Sequence, residues 1–354
     1  MTELSQGTPD RPGSQADERT RTRRFAAAMA ALAVFALLFG AIAIGLGRYS
    51  LSLSDVLSVF FPSFFDEPAS RTVENIVLSV RLPRILLALA AGAGLAVSGA
   101  AFQALFSNPL ASTDTLGVAT GASFGAVLAI LWEMGGLGVQ LMSLASGLAA
   151  VFFVLAISRV RGGGSPILMI ILAGMVVGAF FTALVSLVKF VADPQDVLPS
   201  ITFWMMGSLT GASKTSLLAG MPMILLGAGL LWLLRWRLNA AALPPDEAAS
   251  LGIPVKRLRA AVIIAATMIT ASVVSMCGLI GWVGLLVPHA ARMLFGANNR
   301  YVIPASIVLG AIFMLAVDTA ARTMGQSEVP VSILTAVVGA PFFIYLLRRT
   351  GGLS

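Results

Sequence analysis

Charge is scarce in this chain. Of its 354 residues, 11% are Asp, Glu, Lys or Arg and 58% are hydrophobic. Water-soluble domains carry roughly a quarter charged residues, so a soluble globular protein is excluded. A single cysteine, Cys277, excludes an internal disulfide. A single histidine, His289, excludes most histidine chemistry. A metal centre needs several N, O or S ligands and a catalytic histidine needs a partner, and the neighbouring apolar segments offer neither. No metal site and no catalytic residue is therefore expected, and the chain is not expected to be an enzyme. Ionisable groups are also absent from the middles of the apolar runs: Glu133, Lys189, Asp318 and Arg322 stand near their ends. Ion-coupled transporters keep such groups near the bilayer midplane, so a solute moved by this chain would draw its energy from elsewhere. A nucleotide site is missing too. "GSLTGASKTS" (207–216) imitates a phosphate loop, but Ser213 stands where glycine must precede the lysine.

What the chain does have is long apolar runs. A spanning helix needs about 20 apolar residues. Runs of that kind lie at 25–47, 85–106, 115–133, 137–157, 167–191, 216–234, 257–277, 279–295, 302–321 and 329–347. The expectation is an all-α polytopic membrane protein of ten spans, with residues 25–350 as one domain and 1–24 as a disordered polar tail. An even number of spans puts both termini on one side. With the tail inside, 16 of the 23 basic residues fall in inner segments, so both termini are expected in the cytoplasm. The net charge of +7 then reflects loops facing anionic lipid rather than nucleic acid. Two short helices are expected outside the spans, an interfacial one in "SLSDVLSVFFPSFF" and one in "ITFWMMGSL".

Four local features need explanation. In "GLIGWVGLLVPHAARMLFG" (278–296), Pro288 removes a backbone donor and is expected to kink a segment already short for a full crossing. In "VRLPR" (80–84), Pro83 suits a helix start. Arg81 and Arg84 would then crowd the positive end of the helix dipole, on the side where positive charge is scarce. Either they snorkel to lipid phosphate or they form a docking surface for an acidic partner, extended by Arg322. In "LPPDEAASLGIPVKRLR" (243–259), Asp246 and Glu247 begin a short helix that Gly252 ends. It is either a linker or a peg for a groove on a soluble subunit. Glycines spaced by four (Gly117, Gly121 and Gly125; Gly174 and Gly178) read as close helix packing.

In order along the chain stand "VRLPRILLALAAGAGLAVSGAAFQALFSNPLA", "TLGVATGAS", "FWMMGSLTG", "EAASLGIPV", "GLIGWVGLLVPHAAR", "AVDTAAR" and "EVPVSILTAVVGAPFFIYLL". Together they resemble the FecCD/BtuC-type permease subunits of bacterial ABC importers for iron–siderophore complexes, haem and vitamin B12. The likeness runs from about residue 50 to the C-terminus. It implies a type II importer permease in the inner membrane, with ten spans and inverted repeats formed by spans two to five and seven to ten. It also implies a second permease subunit, two cytoplasmic ATPase subunits that bind ATP and magnesium, and a periplasmic binding protein; this chain carries no cofactor. By resemblance Arg81, Arg84 and Arg322 face glutamates of the binding protein. The segment Asp246, Glu247, Ala248, Leu251 and Gly252 seats on the ATPase. The gate region is "RGGGSPIL", where Ile167 and Leu168 replace the small polar residues of the vitamin B12 member. A pathway along the fifth and tenth spans would pass Gly174, Gly178, Gly339 and Pro341. The cargo expected is a metal chelate, first of all iron–siderophore.

Overall fold

The computed structural model describes residues 12–47, 49–65, 69–158, 166–242, 247, 250, 252–325 and 327–350. The described residues are helical, with no strand among them. Twelve helices are numbered here: α1 Pro12–Gly45, α2 Leu53–Phe60, α3 Arg71–Leu105, α4 Val118–Leu131, α5 Gly136–Ser158 and α6 Pro166–Val191. They continue with α7 Val197–Met205, α8 Lys214–Leu234, α9 Val255–Cys277, α10 Val283–Phe295, α11 Asn299–Thr323 and α12 Val331–Thr350. Seven of them (α1, α3, α5, α6, α8, α9 and α11) are long and apolar enough to cross a membrane; α4, α10 and the apolar part of α12 are shorter.

The bundle is built around α3, which packs on α8, α9, α10 and α11. α3 and α9 are the most buried of the seven long helices, whereas α1 lies at the periphery against α11. α2 is the expected short amphipathic helix, held by a capping box in which Ser52 and Asp55 bond each other's backbone N–H. Those bonds from Ser52 hold the Asp55 carboxyl below its ordinary pKa.

Two expectations are corrected here. Residues 12–24 are not a separate tail, because α1 starts at Pro12 and its polar turns are tied to the bundle: Arg21 donates to the Phe295 carbonyl (3.2 Å) and the Thr22 hydroxyl meets that of Tyr301 (3.2 Å). Pro83 does not start a helix. α3 begins twelve residues earlier, and a π-helical stretch, Ile76–Arg81, leads into the proline, with the Leu82 N–H reaching Val77 O. The extra residue in that turn absorbs the register change a proline imposes and rotates Arg81 and Arg84 relative to the helix before it. Neither arginine sits at a positive helix end.

Pro288 does not interrupt α10, which continues through it; the chain breaks earlier, at Gly278–Trp282. Its missing N–H frees the carbonyl four residues back, on Gly284. Gln103 of α3 donates its side-chain amide to that oxygen (3.3 Å), while its own Oε1 accepts from Arg292 (2.5 Å). Gly99 makes this meeting possible, since a Cβ there would stand 1.9 Å from the Gly284 oxygen. The proline is thus the source of an inter-helix hydrogen bond.

Gly99→Ala should therefore lower stability by roughly 1–3 kcal/mol through overpacking. Gly229→Ala, on α8 with nothing within 4 Å of the added carbon, should be neutral or stabilising by up to about 1 kcal/mol. Thermal unfolding of the two variants in the same detergent checks the opposite signs.

Candidate functional site

Two helices and a loop bring five charged side chains together at the bundle end expected to lie outside. Arg81 and Arg84 come from α3, Asp318 and Arg322 from α11, and Glu328 from the loop before α12. Arg84 Nε donates to Asp318 Oδ1 at 2.8 Å, and its Nη1 donates to Glu328 Oε1 at 3.0 Å. Arg322 Nε lies 3.1 Å from Asp318 Oδ2, one helical turn away. Asp318 has no exposed surface at all, and each arginine is only 6% exposed.

The remaining guanidinium donors turn to the last turn of α1 and the segment after it. Arg322 reaches the carbonyls of Leu46 (3.0 Å) and Ala43 (3.3 Å), and Arg81 bonds those of Ile44 and Tyr49. A helix C-terminus carries unsatisfied carbonyls and partial negative charge, which cations stabilise. The excess of one positive charge in the cluster is answered in this way. The structure thus unites the three arginines but faces them inward. Only Glu328, with a quarter of its side chain exposed, opens the cluster to solvent.

A second arrangement occurs twice. The short helices α4 and α10 both begin at a residue in the left-handed region: Gly117 at φ 66° and Trp282 at φ 70°. For tryptophan that conformation is strained and needs support from its surroundings. In both places a glycine of the fifth or tenth expected span closes against the break. A Cβ on Gly174 of α6 would stand 2.1 Å from Thr115 O, and one on Gly339 of α12 would stand 2.8 Å from the Trp282 ring. Gly178 lies beside Gly117 in the same packing. Within this chain these three glycines are contact points between helices. Pro341 is exposed, as are Leu168, Leu172, Met175 and Val176 of α6 and Val337 of α12.

The other expected positions divide. Asp246, Ala248 and Leu251 lie outside the described residues, as do residues 159–165 of the gate segment. Glu247 and Ser250 are helical, Ser250 Oγ donates to Glu247 O at 2.7 Å, and Gly252 follows at φ +72° in open space. Ile167 is in the first turn of α6. His289 is half-buried, and among the described residues no group of three His, Cys, Asp or Glu could hold a metal ion. Sequence reasoning missed Asp318 and Glu328 as partners of Arg84, and Gln103, Gly99 and Trp282 as packing centres.

The sequence profile described as the FecCD transport family matches residues 32–349. The chain belongs to that family. Among its FecCD relatives, the molybdate import system permease protein MolB of Haemophilus influenzae is 38% identical over 323 residues, which is 90% of this chain and 96% of that protein. A probable iron chelatin transport system permease protein of Helicobacter pylori is 37% identical over 332 residues, covering 94% and 99%. The solved structure of a metal-chelate type ABC transporter in an inward-facing conformation superposes with a TM-score of 0.80 at 37% identity, covering 91% of this FecCD chain and 98% of that one. The relatives are permease subunits and not enzymes.

Asp318→Asn should cost about 3–5 kcal/mol, because it strands two buried guanidiniums. Glu328→Gln, at the wet edge of the same cluster, should cost less than about 1 kcal/mol. Thermal unfolding monitored by size-exclusion chromatography would rank them; equal losses would count against the cluster as described.

Proposed function

We propose that this FecCD-family permease crosses the bacterial inner membrane ten times with both termini in the cytoplasm and pairs with a second copy of itself. In this reading it forms the membrane pathway of an ATP-driven importer. The observation that carries the proposal is the family match over nearly the whole chain, joined to relatives named as import permeases. Two cytoplasmic ATPase subunits would bind ATP and magnesium and act on the segment from Asp246 to Gly252. A periplasmic binding protein would deliver cargo to the outer end.

The burial of Arg81, Arg84 and Arg322 bears on how docking works. Arg81 and Arg322 would shape the docking face through α1. Arg84 would meet a partner carboxylate by releasing Glu328, the one exposed member of its ion pairs. The pathway would run along the exposed apolar side chains of α6 and α12, with Ile167 and Leu168 at its inner mouth. The glycines behind them would let α6 and α12 move as units with α4 and α10. A wide apolar path offers few specific contacts, so selection of the cargo falls to the binding protein.

The cargo proposed is a metal chelate of the iron–siderophore kind, supported by relatives named for iron chelatin, hemin and cobalamin transport. Molybdate is the second reading, supported by the MolB relative.

Tagged protein drawn from native membranes in mild detergent should bring down an ATPase and a binding protein, identified by mass spectrometry. Iron retained on that binding protein supports the first reading of the cargo and molybdenum the second. Recovery of the chain alone after crosslinking, with uptake that survives ATP depletion and collapses with the ion gradient, would replace the proposal with an ion-coupled transporter.

A further inference from the structure

At the opposite end of α1 lies a cavity of about 900 Å3, between its polar-to-apolar boundary and the ends of α10 and α11. Arg21 and Arg24 stand on one side; Phe25, Ala28, Leu294 and Phe295 form an apolar wall. Arg21 is fixed in place. Its Nη2 donates to the Phe295 carbonyl at the end of α10, over Gly296, where a Cβ would stand only 2.9 Å away. Phe25 meets the Phe295 ring edge-on at 5.2 Å and the Tyr301 ring at 4.7 Å. Arg24 is exposed and has no ion-pair partner among the described residues.

The surroundings extend the pattern. Arg300 lies 4.1 Å over Trp236 and 5.4 Å over Tyr301, and Arg235 lies 3.9 Å over Trp232. Burial, and then the neighbouring charge of Arg300, pull the Arg235 pKa below its ordinary value. Among the described residues one carboxylate, Glu18, pairs with any of these four arginines; it lines the cavity too, but is held 3.0 Å from Arg300. Alternating arginine and indole or phenol rings mark a membrane–water interface.

We propose that this cavity binds an anionic phospholipid of the cytoplasmic leaflet. The phosphate would sit between Arg21 and Arg24, and an acyl chain would lie along Phe25, Ala28 and Leu294. Two features separate this ligand from a free anion. The cation pair sits at the residue where α1 turns apolar, and the wall below it is built from side chains that a soluble phosphate cannot use. A bound lipid would add a bridge from α1 to α10 and α11 beside the contacts Arg21, Thr22 and Phe25 already make. Basic pockets between helices on the cytoplasmic side are suited to anionic headgroups. The inference is independent of what the permease carries.

The test uses the full chain in detergent, with lipid binding followed by native mass spectrometry and thermal stability. Phosphatidylglycerol should bind and raise the melting temperature, whereas phosphatidylcholine and inorganic phosphate at equal concentration should not. Arg21→Gln with Arg24→Gln should weaken phosphatidylglycerol binding by about thirtyfold. Ala28→Trp, which fills the wall and leaves the charge alone, should also weaken it. Arg71→Gln, at the other end of the bundle, should leave it unchanged. Full protection by inorganic phosphate would make this a simple anion site and overturn the proposal. Equal binding of phosphatidylcholine, or undiminished binding by both cavity variants, would overturn it as well.

Discussion

A carboxylate with no exposed surface, Asp318, stands between two guanidiniums that are themselves almost wholly enclosed. Such a group is tolerable only if every charge around it is answered. Much of the geometry at that end follows from this condition. The π-helical turn before Pro83 aims Arg84 at α11 and Arg81 at the end of α1. The spacing of four on α11 places Arg322 over Asp318. α1 ends where its carbonyls can take up the donors left over. Remove any one of these and a charge is left without a partner, so α1, α3 and α11 are tied into one unit.

Away from that cluster the bundle is held by backbone proximity rather than by charge. Inside a bilayer, helices gain little from burying apolar surface against one another, so close contact and hydrogen bonds must do the work. The meeting of Gly99, Gly284, Gln103 and Pro288 shows how this is done. A proline deprives one carbonyl of its partner, a glycine lets the neighbouring helix approach, and an amide supplies the missing donor. The paired breaks at Gly117 and Trp282 use the same economy twice, once in each half of the chain. Nothing in the residue types around them reveals that correspondence.

Much of the fold was legible in the sequence because hydropathy reports span length directly. The segments expected at 137–157 and 167–191 are helices Gly136–Ser158 and Pro166–Val191. The short amphipathic helix lies where composition put it, and the one expected in "ITFWMMGSL" (201–209) is found four residues earlier, at Val197–Met205. What failed was inference from a residue's own preference. Pro83 looked like a helix start because its accommodation depends on an upstream π turn, and the carbonyl freed by Pro288 finds its donor on Gln103, 185 positions away in the chain. Residues 12–24 looked disordered because polarity alone does not show that Arg21 and Thr22 have partners at Phe295 and Tyr301. For the candidate site, sequence showed that positive charge at Arg81 and Arg84 needed an answer. It could not show that the answer came from Asp318 and from carbonyls of α1.

The same cluster imposes an order on biosynthesis. Arg84 emerges from the ribosome 234 residues before Asp318 and 244 before Glu328. During that interval α3 carries two guanidiniums, and the carboxylates of the cluster, Asp318 and Glu328, do not yet exist. Only Arg81 finds its acceptors already made, the carbonyls of Ile44 at the end of α1 and of Tyr49 just after it. The first helix thus answers Arg81 ahead of time, whereas Arg84 has its partners only once α11 and the loop after it are made. A chain lacking α1 would face the insertion machinery with uncompensated charge, whatever its transport function.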